Sequence, residues 1–217
     1  MFGGGYGKDS EIWGSTTINL NKGYTFQVFG GGESGAIGKK EGGSYSYNPK
    51  YSCFINLKGQ NDGVSKAEDQ SEDMAECEFA YGGGFFGTIA GNTVVNLGKG
   101  RVFNTFAGSC NADILGHTET YIGRQVKDDS SKDMLNHYLV KDETTGEVTG
   151  FKAADDFYMG GFPYIRDIVY GGNDLGGKIL GASDKSMNRD NLAALLRDNP
   201  LGQGHQSTPM GIIRATE

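Results

Sequence analysis

The chain has 217 residues, 37 of them glycine, and a formal net charge of −7 from 20 basic and 27 acidic side chains. Average glycine usage is only roughly 7%, yet glycine is not spaced every third residue here, so a collagen helix is excluded. No apolar run is long enough for a transmembrane helix, and the scattered Lys and Arg exclude nucleic acid and anionic lipid as electrostatic partners.

The chain opens on Met1-Phe2-Gly3-Gly4-Gly5, which has no basic region followed by an apolar stretch. It therefore reads as the middle of a structural unit rather than as a signal peptide. An aromatic residue followed by small residues begins there and recurs at Phe29-Gly30-Gly31-Gly32, Tyr81-Gly82-Gly83-Gly84, Phe106-Ala107-Gly108-Ser109 and Tyr170-Gly171-Gly172-Asn173. A second signal, isoleucine followed by a small or polar turn, appears at Ile12-Trp13-Gly14-Ser15-Thr16, Ile89 to Thr93, Ile114 to Thr118 and Ile179 to Ser183. A third signal comprises Thr17-Ile18-Asn19-Leu20, Phe54-Ile55-Asn56-Leu57, Val94-Val95-Asn96-Leu97 and Glu119-Thr120-Tyr121-Ile122. Two uninterrupted units set a period of 25 to 27 residues. Three strands of about five residues with three turns of about three need roughly that length.

Stacked coils of three short strands make a parallel β-solenoid. The expected fold is all-β, a right-handed parallel β-helix of about five coils, with handedness following the rule for parallel crossovers. Period-2 alternation puts Leu20, Leu57, Leu97 and Ile122 in one inward column and Ile18, Ile55, Val95 and Thr120 in the next. Asn19, Asn56, Asn96 and Tyr121 form an outward column whose amides are placed to hydrogen-bond as a ladder. Glycine serves the corners, through positive φ and close backbone approach.

The solenoid is expected over residues 1–187, with insertions at 39–51, 58–75 and 124–165. The first reads as a protruding polar and aromatic loop, and the second as a solvated acidic loop. The third holds a short helix through Met134, Leu135, Tyr138 and Leu139. Residues 188–217 read as a C-terminal helix and tail, the helix running from Asn188 to Asp198 and stopped by Pro200. The N-terminal coil carries no such cap, which predicts a fragment of a longer protein or self-association through the coil holding Phe2 and Ile12.

Chemical motifs are sparse. Gly30 to Gly35 and Gly82 to Gly87 satisfy the dinucleotide pattern literally, but strand-like residues follow where a helix is needed. Gly172 to Lys178 has P-loop spacing, but Ile179 stands where a magnesium-binding hydroxyl belongs. Gly4 to Asp9 lacks the nine-residue tandem copies of a calcium nonapeptide, and reads as a turn. The acidic pairs Asp128-Asp129 and Asp155-Asp156 are oxygen donors of the calcium type, equally read as solvated loop charge. His117, His137 and His205 are far apart and lie in no metal or nucleophile motif. Cys53, Cys77 and Cys110 lack C-x-x-C spacing, so neither a zinc site nor a disulfide framework follows, and one bridge stays open. No catalytic, cofactor or metal residue is assigned. Tyr45, Tyr47, Phe85, Phe86 and Tyr121 are the ligand-binding candidates, as surface aromatics able to stack on sugar rings.

The repeat style around Val28-Phe29-Gly30-Gly31-Gly32, Ile89 to Gly98 and Val169-Tyr170-Gly171-Gly172 resembles glycine-rich repetitive β-helical surface or adhesin-like proteins of anaerobic gut bacteria. The resemblance implies an extracellular or cell-surface location and a non-enzymatic adhesin-like or scaffold role, with surface glycans or proteins as partners. It carries over no catalytic residue and no cofactor. A carbohydrate-active β-helix enzyme, a polysaccharide lyase or hydrolase, needs acidic groups converging on one face; the outward columns supply Asn, Thr and Val instead. A phage fibre-like component is the third reading.

Overall fold

A computed structural model describes residues 1–58, 75–126, 139–145, 148–151, 157–159, 163–181 and 212–215. Its strands are β1 (Glu11–Ile12), β2 (Thr16–Leu20), β3 (Gly23–Phe29), β4 (Ala36–Ile37), β5 (Lys40–Glu41), β6 (Ser44–Tyr45), β7 (Cys53–Lys58) and β8 (Ala75–Tyr81). They continue with β9 (Thr93–Phe106), β10 (Thr118–Ile122), β11 (Arg124–Val126), β12 (Leu139–Lys141), β13 (Val148–Phe151), β14 (Phe157–Met159), β15 (Pro163–Tyr170) and β16 (Ile212–Ala215). A single turn of 3-10 helix, Pro49–Tyr51, precedes β7. The architecture is all-β, with no α-helix among the described residues.

Pairing is mostly parallel and follows the repeat. In the first ladder β2, β7, β9, β10 and β16 lie side by side in that order. Leu20 faces Leu57, Leu57 faces Leu97, and Leu97 faces Ile122; Ile18, Ile55, Val95 and Thr120 share the adjacent column. The second ladder is β3, β8, the C-terminal half of β9, and β15. Because β9 belongs to both ladders, the sheet bends along its length and curls into a half-barrel. A third line of pairing joins Ile12, Ile37, Ile89, Ile114 and Ile179. Ile37 was not among the isoleucines singled out by pattern, since Gly38-Lys39-Lys40 follows it instead of a hydroxyl residue.

The inside of the curl is one apolar cluster of Ile18, Leu20, Val28, Ile55, Leu57, Ala80, Val95, Leu97 and Val102, with Ile122, Ile165 and Val169 packed against it. Full burial of each large side chain contributes about 1.5–3 kcal/mol. Ile37, Ile89 and Ile114 form a second cluster with Tyr51 and Cys53. The five repeating aromatics build a third feature. Phe2, Phe29, Tyr81, Phe106 and Tyr170 stack ring on ring at 4.7, 4.6, 5.0 and 5.0 Å, within 13° of parallel. Adjacent strands lie about 4.8 Å apart, so in-register pairing alone sets that ring spacing.

The glycines that follow these aromatics are required by space. A Cβ on Gly30 would lie 2.2 Å from the carbonyl oxygen of Gly82, and one on Gly82 would lie 2.1 Å from that of Ala107. Neither residue has positive φ. Threonine hydroxyls cap the same corner: Thr16 Oγ1 donates to the Gly30 carbonyl and Thr93 Oγ1 to the Ala107 carbonyl, each at 2.6 Å.

The outward Asn column forms the expected ladder. Asn56 Nδ2 donates to Asn19 Oδ1 at 2.9 Å, and Asn96 Nδ2 donates to Asn56 Oδ1 at 2.7 Å. Asn56 and Asn96 are nevertheless buried, as are Phe54, Val94, Glu119 and Tyr121 on the same face. β11 lies against β7 and β9, and β13 lies against the 3-10 turn. These two described strands of the 124–165 insertion thus stand close to the first ladder.

Several expectations are corrected. Residues 39–51 do not simply protrude: β5 and β6 pair as a hairpin, and the chain then turns inward, burying Tyr47 and Tyr51. Leu139 begins β12 and pairs with Phe151, so it is a strand residue and not part of a helix; Met134, Leu135 and Tyr138 lie outside the described residues. Ala75 belongs to β8 and is buried, so the second insertion ends before it; 59–74 lie outside the described residues. The helix expected over Asn188 to Asp198 also lies outside them. Ile212–Ala215 is not a tail but β16, pairing parallel with β10 through Ile213 opposite Thr120 and Ala215 opposite Ile122. The three cysteines are free thiols, all buried.

Candidate functional site

The second ladder presents an open face. Along β3 the segment Gly-Tyr-Thr-Phe-Gln-Val-Phe sends Val28 into the core and leaves Tyr24 59% and Phe26 54% exposed. Tyr24 stands opposite Glu76, Glu76 opposite Arg101, and Arg101 opposite Tyr164. One step along, Gln27, Phe79, Asn104 and Ile168 share a row. Tyr164 and Ile168 are also exposed. Parallel sheets are usually covered on both faces, so a bare aromatic one marks an interaction surface.

The side chains on this face are braced against one another. Tyr24 donates its hydroxyl to Glu78 Oε1 at 2.5 Å, and that hydrogen bond, with burial and the neighbouring carboxylate charge, pushes the phenol up to about 12. Phe26 meets Phe79 edge-on at 5.7 Å. Arg101 Nη1 lies 3.2 Å from Glu76 Oε2, and the Arg101 guanidinium also sits 5.6 Å from the Tyr164 ring centre. Arg166 lies over Phe103 at 4.6 Å. The result is a sheet of ring surfaces interleaved with guanidinium and carboxylate groups, suited to stacking on apolar faces while bonding hydroxyls.

The five aromatics singled out from sequence are not brought together. Tyr121 is 1% exposed and donates to Glu119 Oε2. Tyr47 is 9% exposed and accepts from Asn92 Nδ2 at 3.1 Å. Neither can meet a sugar from solvent; both are corrected to structural residues. Phe85 is half-buried, packed edge-on against Phe29 and Phe86, and Phe86 is exposed beside it at a corner turn. Tyr45 is half-buried and hydrogen-bonded to Glu11.

Sequence reasoning missed Tyr24, Phe26, Phe79, Phe103 and Tyr164. Their signal lies in the strand that ends at each repeating aromatic: Tyr24 and Phe26 alternate with Thr25, and aligning Gly23, Ala75, Gly100 and Pro163 would have stacked them.

Chemistry is scarce elsewhere. Among the described residues no group of three or more His, Cys, Asp or Glu could hold a metal ion, and no helix is long and apolar enough to cross a membrane. Burial pushes the Cys53 and Cys77 thiols up to about 12, which makes them poor nucleophiles. Asp128, Asp129, Asp155, Asp156, His137 and His205 lie outside the described residues. No family of known proteins, no curated protein and no solved structure matches this chain.

Proposed function

We propose that this chain is a segment of a non-enzymatic, right-handed parallel β-helix with an adhesin-like or scaffold role. The observation that carries this is the aromatic face, on strands that keep one register from β3 through β8 to β9 and slip once, at β15 between Ile165 and Ile168. Three lines of parallel pairing recur along the chain, and the second of them leaves the rings of Tyr24, Phe26 and Tyr164 exposed among charged side chains. A rigid, repetitive frame holding flat aromatic surface suits adhesion to glycans or to protein partners. A cell-surface or extracellular location goes with that reading and rests on the repeat style.

Of the three acids on these strands, Glu76 is engaged by Arg101 and Glu78 by Tyr24, which leaves the exposed Asp167 of β15 as a single acid. Hydrolysis or elimination on this face would need an acid and a base free to act on a bound sugar, which favours binding over turnover. Met1 to Gly3 already pair with Gln27 to Phe29, so among the described residues the edge of β2 and the first half of β3 are where a partner strand would pair.

The test is a panel of immobilised neutral and acidic polysaccharides, probed with the intact chain and with Tyr24→Ala/Phe26→Ala. Retention of the intact chain, its loss in the double variant and no release of reducing ends or unsaturated products are expected. Product release by the purified chain, or equal retention of the double variant, would overturn the proposal.

A further inference from the structure

Trp13 is the chain's one tryptophan. It follows β1 at the corner leading into β2, and it is 62% exposed. An indole recruited only for packing turns its ring into the core; this one is held at the surface instead. Trp13 Nε1 donates to Glu11 Oε2 at 2.9 Å, and Tyr45 donates its hydroxyl to Glu11 Oε1 at 3.0 Å. The indole N–H bond, with that of Tyr45 and the charge of Lys40, holds the Glu11 carboxyl below its usual range. Both carboxylate oxygens are thereby spent on fixing two rings that lie 32 residues apart in sequence. Gly38 supplies the backing for the second ring: a Cβ there would lie 3.1 Å from Tyr45 Cδ1 and 2.7 Å from Ala90 Cβ.

Two ammonium groups complete the corner. Lys39 Nζ lies 4.7 Å from the Trp13 ring centre, and Lys40 Nζ lies 5.2 Å from the Tyr45 ring centre. Both lysines are exposed, and Glu11 is the carboxylate that holds the rings. The site therefore offers preoriented aromatic surface beside two cations, on a protein whose overall charge is −7. Ring faces stack on the apolar C–H face of a pyranose, and ammonium groups pair with carboxylates. The geometry points to a binding site for an acidic oligosaccharide, one built from uronic-acid residues, at the Trp13–Tyr45 corner. This corner lies on the third line of pairing, away from the aromatic face of the second ladder, so either site can fail without the other.

Trp13 supplies its own readout. Titration of the intact chain with an oligogalacturonate should shift or quench its intrinsic tryptophan emission to saturation, and added salt should weaken the response. Lys39→Ala/Lys40→Ala, both on exposed side chains, should weaken binding about tenfold while leaving the thermal unfolding midpoint in place. Tyr24→Ala/Phe26→Ala should leave the titration unchanged. A neutral galactan oligomer of the same length should give a response at least about tenfold weaker. No change in Trp13 emission, an equal response to the neutral oligomer, or full affinity in the lysine double variant would each overturn the assignment.

Discussion

Replacing Gly82 with Ala tests the register at its tightest point. The added methyl carbon would lie 2.1 Å from the Ala107 carbonyl oxygen, 3.0 Å from its carbon and 3.1 Å from Thr93 Cβ. Ordinary contact begins near 3.4 Å, so the two backbones must part by about 1.3 Å. Two hydrogen bonds cross that gap, Gly82 N–H to the Phe106 carbonyl and Gly83 N–H to the Gly108 carbonyl, both 2.9 Å. Each contributes about 0.5–1.5 kcal/mol net, as does the Thr93 hydroxyl bond to the same Ala107 carbonyl. Added to overpacking of about 1–3 kcal/mol, the expected loss is about 2.5–7.5 kcal/mol. Ala107 occupies the equivalent place one rung on, beside a strand, β15, whose pairing to β9 shifts register between Ile165 and Ile168. Gly7 is the control, since nothing lies within 4 Å of an added Cβ and its φ is not positive. Urea unfolding should show Gly7→Ala within about 0.5 kcal/mol of the parent chain. A Gly82→Ala chain as stable as the Gly7 variant would refute the close approach of these backbones.

Thr93 and Thr120 give the same substitution opposite signs. Thr120 Oγ1 is buried in an apolar column without a hydrogen-bond partner among the described residues, so Thr120→Val should raise stability by about 1 kcal/mol. Thr93→Val should lower it by about 1–3 kcal/mol, because the Ala107 carbonyl loses its 2.6 Å donor; equal shifts in urea midpoint would sink this contrast. Leu97→Ala should cost about 2–5 kcal/mol at a site only 1% exposed, and a loss under about 0.5 kcal/mol would remove Leu97 from the core. Burial pushes the Cys53 and Cys77 thiols from 9.0 to about 12, and burial together with the Glu11 hydrogen bond pushes the Tyr45 phenol from 10.0 to about 12. The folded chain thus keeps protons that the unfolded chain gives up, so stability should fall as pH rises from about 9 to about 12. A urea midpoint that is flat or rising over that interval would contradict the burial of these groups.

What the sequence by itself determined is which residues share a column. Leu20, Leu57, Leu97 and Ile122, the Asn19–Asn56–Asn96 ladder and the five stacked aromatics all occupy the places the repeat assigns them. Period-2 alternation and a constant run of small residues after each aromatic are local properties, and pairing in register propagates them from one strand to the next. Whether a column meets water was decided only by the tertiary structure. Asn56, Asn96 and Tyr121 point away from the core and are still buried, and β11, from a non-repeating insertion, lies against β7 and β9. Ile212–Ala215 completes the first ladder from beyond a long stretch with no repeat signal. Glu11 meets Tyr45 across 34 residues, and Tyr24 meets Glu78 across 54. Such contacts depend on which strands stand side by side and on where each insertion returns. Alternation along a single strand carries neither, because it records the face of a residue and not what lies on the other side of that face.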